Sequence, residues 1–216
     1  DETPIEGAFD DYAGGRKFKD IASTNDEGDV VGEPDNELTS ADRTIIGNPH
    51  PDFIFGINNT FNYKGFDLNF FFQGSQGNDL YSFSLMELDL MAGQNNATTE
   101  ALKRWTPTNT NTDVPIAHTR PRVSSDRFIY DGSYIRLKNL SLGYNVPQSV
   151  IGRVGIRSLR ITLSGQNILT ISDYPGIDPE VNYRSGGSQN SNRNLGLDYG
   201  SYPNIKSYTI SFNIGL

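Results

Sequence analysis

The sequence contains no cysteine. Disulfide scaffolds, thiolate metal sites and cysteine nucleophiles are excluded together. Histidine is nearly as scarce: the two present, His50 and His118, lie far apart beside Pro-containing turns. That is the pattern of solvated loop residues, without the clustered spacing of zinc ligands. Positive charge is also in deficit, with 18 Lys and Arg against 26 Asp and Glu, a formal net charge of −8. A chain this acidic repels phosphate backbones, so nucleic acid is not expected as a partner. No stretch approaches the roughly 18 consecutive apolar residues of a membrane helix. The opening run DETPIEGAFDDYAGG has neither the basic nor the apolar region of a secretion signal. A G-x-S-x-G elbow, a phosphate-binding glycine loop and an H-E-x-x-H pair are all missing.

What the chain does have is aromatic residues and turn formers: 12 Phe, 11 Tyr, 22 Gly and 11 Pro in 216 residues. This is too aromatic for disorder and too rich in turn residues for a helical protein. Residues 1–51 are polar and acidic, with a strand-like piece at RKFKDI (16–21) and an acidic loop at 25–37. Strict alternation begins afterwards. PDFIFGINNTFNY (51–63) puts Phe53, Phe55, Ile57, Phe61 and Tyr63 on one face, and FDLNFFFQG (66–74) does the same with Phe66, Leu68, Phe70 and Phe72. The short YKGF turn between them predicts a hairpin. SYIRLKNLSLGYNVP (133–147) alternates cleanly at Leu140, Leu142, Tyr144 and Val146, but Ile135 and Leu137 fall on the opposite parity. A bulge near Asn139 would reconcile the halves, as would a first half lying outside the layer that imposes the pattern. SLRITLSGQNILT (158–170) and SYTISFNIGL (207–216) complete the set. Helical pieces are expected around 79–91 and 98–105.

The connections fall into two lengths. Those at 63–66 and 147–157 are short, whereas 75–132 and 171–206 run for tens of residues. Such loops are out of place in a compact soluble domain. They are ordinary in an outer-membrane barrel, which has short periplasmic turns, long extracellular loops and strands of about 9–11 residues that alternate apolar and polar. The fold class read here is all-β, with strands of a large antiparallel transmembrane sheet. The alternative is a secreted or surface-attached β-sandwich that binds glycan.

Longer segments carry a resemblance. DRTIIGNPHPDFIFGINNTFNYKGFDLNFFFQGSQGNDLY (42–81), RWTPTNTNTDVP (104–115), YIRLKNLSLGYNVP (134–147), SGQNILT (164–170), YPGIDPEV (174–181) and YGSYPNIKSYTISFNIGL (199–216) resemble, in order, the SusC/RagA-like family of TonB-dependent outer-membrane transporters. The resemblance implies the C-terminal strands of a 22-stranded barrel with long extracellular loops. It divides the chain into an acidic region at 1–50 leading into barrel at 51–216. Five spanning strands fall short of the roughly eight of the smallest bacterial barrels, so a longer polypeptide carrying a plug and the TonB contact is expected. The resemblance further implies a non-enzymatic transporter of the Gram-negative outer membrane, importing oligosaccharides or peptides with a SusD-like surface lipoprotein. Two features depart from the family's pattern. The stretch 19–44 lacks a tight D-x-D-x-D-G calcium spacing, and the last residue is Leu216 where an aromatic is usual.

Candidate site residues follow. The resemblance places Tyr208, Ile210, Phe212, Ile214 and Leu216 toward lipid on the strand that closes the barrel. Trp105, Tyr130, Tyr174, Tyr183, Tyr199 and Tyr202, with Asp178, occupy the long loops among Asn, Asp and Arg. That composition suits sugar stacking, contact with a partner protein or packing within the loops. No metal and no cofactor is expected: the acidic run Asp26, Glu27, Asp29, Glu33, Asp35 and Glu37 reads as a solvated loop. The carboxylate pairs Glu87/Asp89 and Asp178/Glu180 are not placed by sequence across any scissile bond.

Overall fold

The computed structural model describes residues 12–25, 27–91, 95–117, 123–181 and 194–215. Asp26, His118, Tyr183 and Leu216 lie outside them. The chain divides into two units, one of Asp1–Gly47 with Ser82–Ile129 and one of Asn48–Tyr81 with Tyr130–Leu216.

In the first unit, the expected strand at 16–21 shrinks to a single bridging residue, Lys17. A two-residue ladder forms later, between β1 (Ser23–Thr24) and β2 (Val30–Val31). The turn between them is organised by Asn25, whose side chain accepts from the amides of Glu27 and Asp29. The segment 19–22 is instead tied by Asp42, whose carboxylate accepts from the backbone amides of Ile21, Ala22 and Thr39. The helix expected at 79–91 is shorter, because β5 (Asp79–Ser82) takes its first residues. Ser82 then caps α1 (Phe83–Asp89), accepting from the amide of Leu85. The second helical piece is a 3-10 turn, Thr99–Lys103, capped by Thr98. Pro107 disfavours helix at the residue before it.

The second unit carries a five-stranded antiparallel sheet in the order β10-β8-β7-β4-β3. Its strands are β3 (Phe53–Tyr63), β4 (Phe66–Gln76), β7 (Tyr134–Asn145), β8 (Ser158–Ser172) and β10 (Ser207–Gly215). The β3–β4 turn is the predicted one: Tyr63 pairs with Phe66, and Lys64 and Gly65 both have positive φ. That is the geometry matching the twist of a two-residue hairpin. The connection from β7 to β8 holds the helical turn α2 (Gln148–Ile151) and a 3-10 turn, Gly152–Val154. A small three-stranded sheet, β6-β5-β9, is completed by β6 (Ile129–Asp131) and β9 (Leu197–Asp198).

The bulge expected near Asn139 is present. Against β4, Leu137 pairs with Phe72 and Asn139 with Phe71, leaving Lys138 as the extra residue. Against β8, the same step skips Asn167 and Ile168, and Asn167 has a φ of 52°. The extra residue returns Ile135 and Leu137 to the face of Leu140, Leu142 and Tyr144, so both halves of β7 share one apolar surface.

That surface runs across all five strands and is largely exposed. Phe53, Ile57, Phe61, Phe66, Leu142, Leu163, Ile210 and Phe212 are open on it, Phe212 to 64%. Rings meet across it: Phe66 stacks on Tyr144 at 4.2 Å and Phe61 on Phe70 at 6.0 Å. The opposite face is polar. There Arg160 of β8 reaches Asp67 of β4 at 2.7 Å, passing over β7 at Gly143, where any side chain would strike both.

Candidate functional site

The buried groups of the second unit gather where the start of β7 meets the segments following β8 and preceding β10. Arg136 is 2% exposed and Asp178 5%. The Arg136 guanidinium donates to Asp178 and, at 2.9 Å, to Glu180. Lys138 donates to both oxygens of Glu180, at 2.6 and 2.9 Å. Arg136 and Lys138, two positions apart on the strand, share its polar face and reach the same carboxylate. Asp178 also accepts from the backbone amides of Glu180 and Asn204, at 2.9 and 2.8 Å, and Asn204 donates its side-chain amide to Glu180 at 3.1 Å. Residues 178–180 and 204 are thereby fixed to the wall of the sheet. Burial alone would push the Asp178 carboxyl up; donation from Arg136, Glu180 and Asn204 outweighs it and holds the group below the usual carboxylate range.

Beside this network lies a small core of Leu80, Tyr174 and Val181, with Tyr130 packed against it. Tyr130 and Tyr174 meet edge to face at 6.0 Å, and the Tyr174 hydroxyl donates to Asp198. These contacts explain why two loop tyrosines are buried: an aromatic body is removed from water while its hydroxyl keeps a partner.

The structure brings Tyr130, Tyr174 and Asp178 into this one region, with Tyr174 and Asp178 nearly inaccessible. Tyr199 and Tyr202 are exposed, Tyr202 to 87%. Trp105 belongs to the first unit, where its ring lies against Gly14, a residue with a φ of 79° and no room for a side chain. Of the carboxylate pairs, Asp178 and Glu180 are neutralised as described, and Asp89 accepts from the Thr98 hydroxyl. Among the described residues no cluster of His, Asp and Glu is arranged to hold a metal. The residues that sequence reasoning missed are Arg136, Lys138 and Asn204. Their signal was available in part: two cations, two apart, sit on the polar parity of an alternating strand, just where the alternation breaks.

No family model matches the chain. Its sequence is 47% identical over 209 residues to TonB-dependent receptor P3 of Formosa agariphila, covering 94% of this chain and 21% of that protein. It is 25% identical over 185 residues to TonB-dependent receptor SusC of Bacteroides thetaiotaomicron, covering 82% of this chain and 16% of that one. Among solved structures, the RagAB peptide transporter superposes with a TM-score of 0.65 and 25% identity, over 88% of this chain and 20% of that one. The chain spans about a fifth of the length of these relatives. In sequence and in fold the chain is similar to a stretch of the β-barrel of SusC/RagA-like TonB-dependent receptors.

Proposed function

We propose that this chain forms part of the wall of an outer-membrane active transporter that imports oligosaccharides or peptides. On this reading it works with a SusD-like surface lipoprotein and is energised through TonB, with the plug and the TonB contact supplied by the rest of a longer receptor. The observation that carries the reading is the five-stranded sheet, with one continuous exposed apolar face and a polar face behind it. In water such a surface would be an aggregation site. In a bilayer it is the outer surface of a wall whose backbone groups are paired strand to strand.

Tyr208, Ile210, Phe212 and Ile214 then face lipid, with Leu216 following in the same parity of the sequence. The polar face lines the lumen, and the Lys64–Gly65 turn lies on the periplasmic side. The segments 173–181 and 199–206 lie at the extracellular mouth, where Tyr199 and Tyr202 are offered to ligand or partner. The substrate is moved, not chemically changed. The test is uptake in cells carrying the full-length receptor. Accumulation of its oligosaccharide or peptide cargo should cease when the receptor or TonB is removed, and the receptor should co-purify with a surface lipoprotein. Cargo that still accumulates without TonB would overturn the energised-transport reading.

A further inference from the structure

The polar face of the sheet has a charge inventory that can be completed. The five strands contain Asp67, Arg136, Lys138 and Arg160 and no other charged residue. Each is already neutralised: Arg160 by Asp67, Arg136 by Asp178 and Glu180, and Lys138 by Glu180. What the face still offers a ligand is therefore uncharged.

Between the two ionic groups lies a row defined by strand register. Asn58 of β3 pairs with Phe71 of β4, Phe71 with Asn139 of β7, and Asn139 with Gln166 of β8. Asn58, Asn139 and Gln166 are all exposed. Two aromatic rings lie on the polar parity of the five strands: Tyr134, buried beneath the Arg136 guanidinium, and Phe71, in a position the alternation would give to a polar residue. Its ring leans over Gly56 of the neighbouring strand: a Cβ there would lie 3.1 Å from the Phe71 Cε2. The absent side chain at Gly56 lets the ring lie down along the wall, flanked by primary amides.

We propose that this row is a binding surface for a neutral oligosaccharide, with Phe71 stacking on a sugar ring and Asn58, Asn139 and Gln166 bonding its hydroxyls. The inference rests on the transporter reading above and chooses between its two cargo classes. A sugar ring has apolar C–H faces and an uncharged rim of hydroxyls that both donate and accept. A ring flanked by amides matches both parts, since each amide also donates and accepts. A peptide brings charged termini, and this face has no unneutralised charge to receive them.

The experiment uses the full-length receptor in detergent with its lipoprotein partner, titrated calorimetrically with neutral hexasaccharides of glucose, galactose and mannose. Mixed hexapeptides serve as the contrasting probe. A sugar that binds the native receptor should bind Phe71→Ala about tenfold more weakly, with Phe71→Trp within about threefold of native and Asn139→Ala intermediate. Heat-modifiable migration in gels, unchanged across the variants, shows that each barrel is folded. The proposal is overturned by unchanged sugar affinity in a folded Phe71→Ala barrel, which would leave the ring as a contact for the remainder of the polypeptide. It is equally overturned if no hexasaccharide binds while the hexapeptides do, an outcome under which import through TonB still stands.

Discussion

The two ends of the second unit invert the usual rules in opposite ways. Along the body of the sheet, Phe, Ile, Leu and Tyr side chains are exposed, and the opposite face is lined by amides and hydroxyls. At the start of β7, an arginine and an aspartate are among the most deeply buried groups. A soluble domain would exchange these environments. On the transporter reading proposed above, the difference marks where water is expected: excluded from the apolar face, and displaced from the polar face only where a loop is tied down. The tie is ionic because the polar face presents Arg136 and Lys138 at that point, so the loop attaches by charge and hydrogen bond.

The comparison can be broken most strongly from the ionic end. Arg136→Ala leaves Asp178 without its charged partner, while Glu180 keeps Lys138. Removing one member of a buried pair costs about 3–5 kcal/mol. Segments 173–181 and 199–206 should then become protease-sensitive and exchange amide hydrogens rapidly in the full-length receptor, while the sheet stays protected. Next in size is the apolar face. Phe212→Arg should cost about 2–4 kcal/mol near the bilayer midplane and lower the amount of heat-modifiable barrel in outer membranes. Ser211→Arg, one residue away on the polar face, should leave that amount nearly unchanged. Equal loss from both would remove the distinction between the faces.

Acid provides a finer probe. Asp178 titrates below its ordinary value in the folded protein, so its contribution is complete above about pH 4, the ordinary Asp range. It is lost as pH falls through the lower folded value. Amide exchange at 173–181 should accelerate only in that acid window, and Asp178→Asn should be loosened at neutral pH and flat across it. The smallest effect is expected at Gly143. Gly143→Ala puts a methyl group into the path of the Asp67–Arg160 pair, which is half-open to solvent. A slight fall in unfolding temperature is expected, with no change in the protection of the loops.

Much of the sheet was legible because its signals are local. The two-residue turn at Lys64 and Gly65, the alternation of β3, β4 and β10, and the parity break near Asn139 can all be read within a few residues. The ionic anchor was not. Glu180 stands more than 40 residues from Arg136 and Lys138, and alternation says nothing about which loop returns to which strand. The strand expected at 16–21 shrinks to a single bridging residue, Lys17: its apolar residues Phe18 and Ile21 fall on opposite parities, and Asp42 claims the amides of Ile21 and Ala22.

The bulge at Lys138 also has a consequence for how this wall tolerates changes in length. Elsewhere in a strand, losing one residue turns every following side chain to the wrong face. At Lys138–Asn139 the two halves already run out of phase, and losing one residue there would bring Ile135, Leu137, Leu140 and Leu142 into a single uninterrupted alternation. The position behaves as an expansion joint. It is where one half of β7 can lengthen or shorten relative to the other while the same side chains stay on the apolar face.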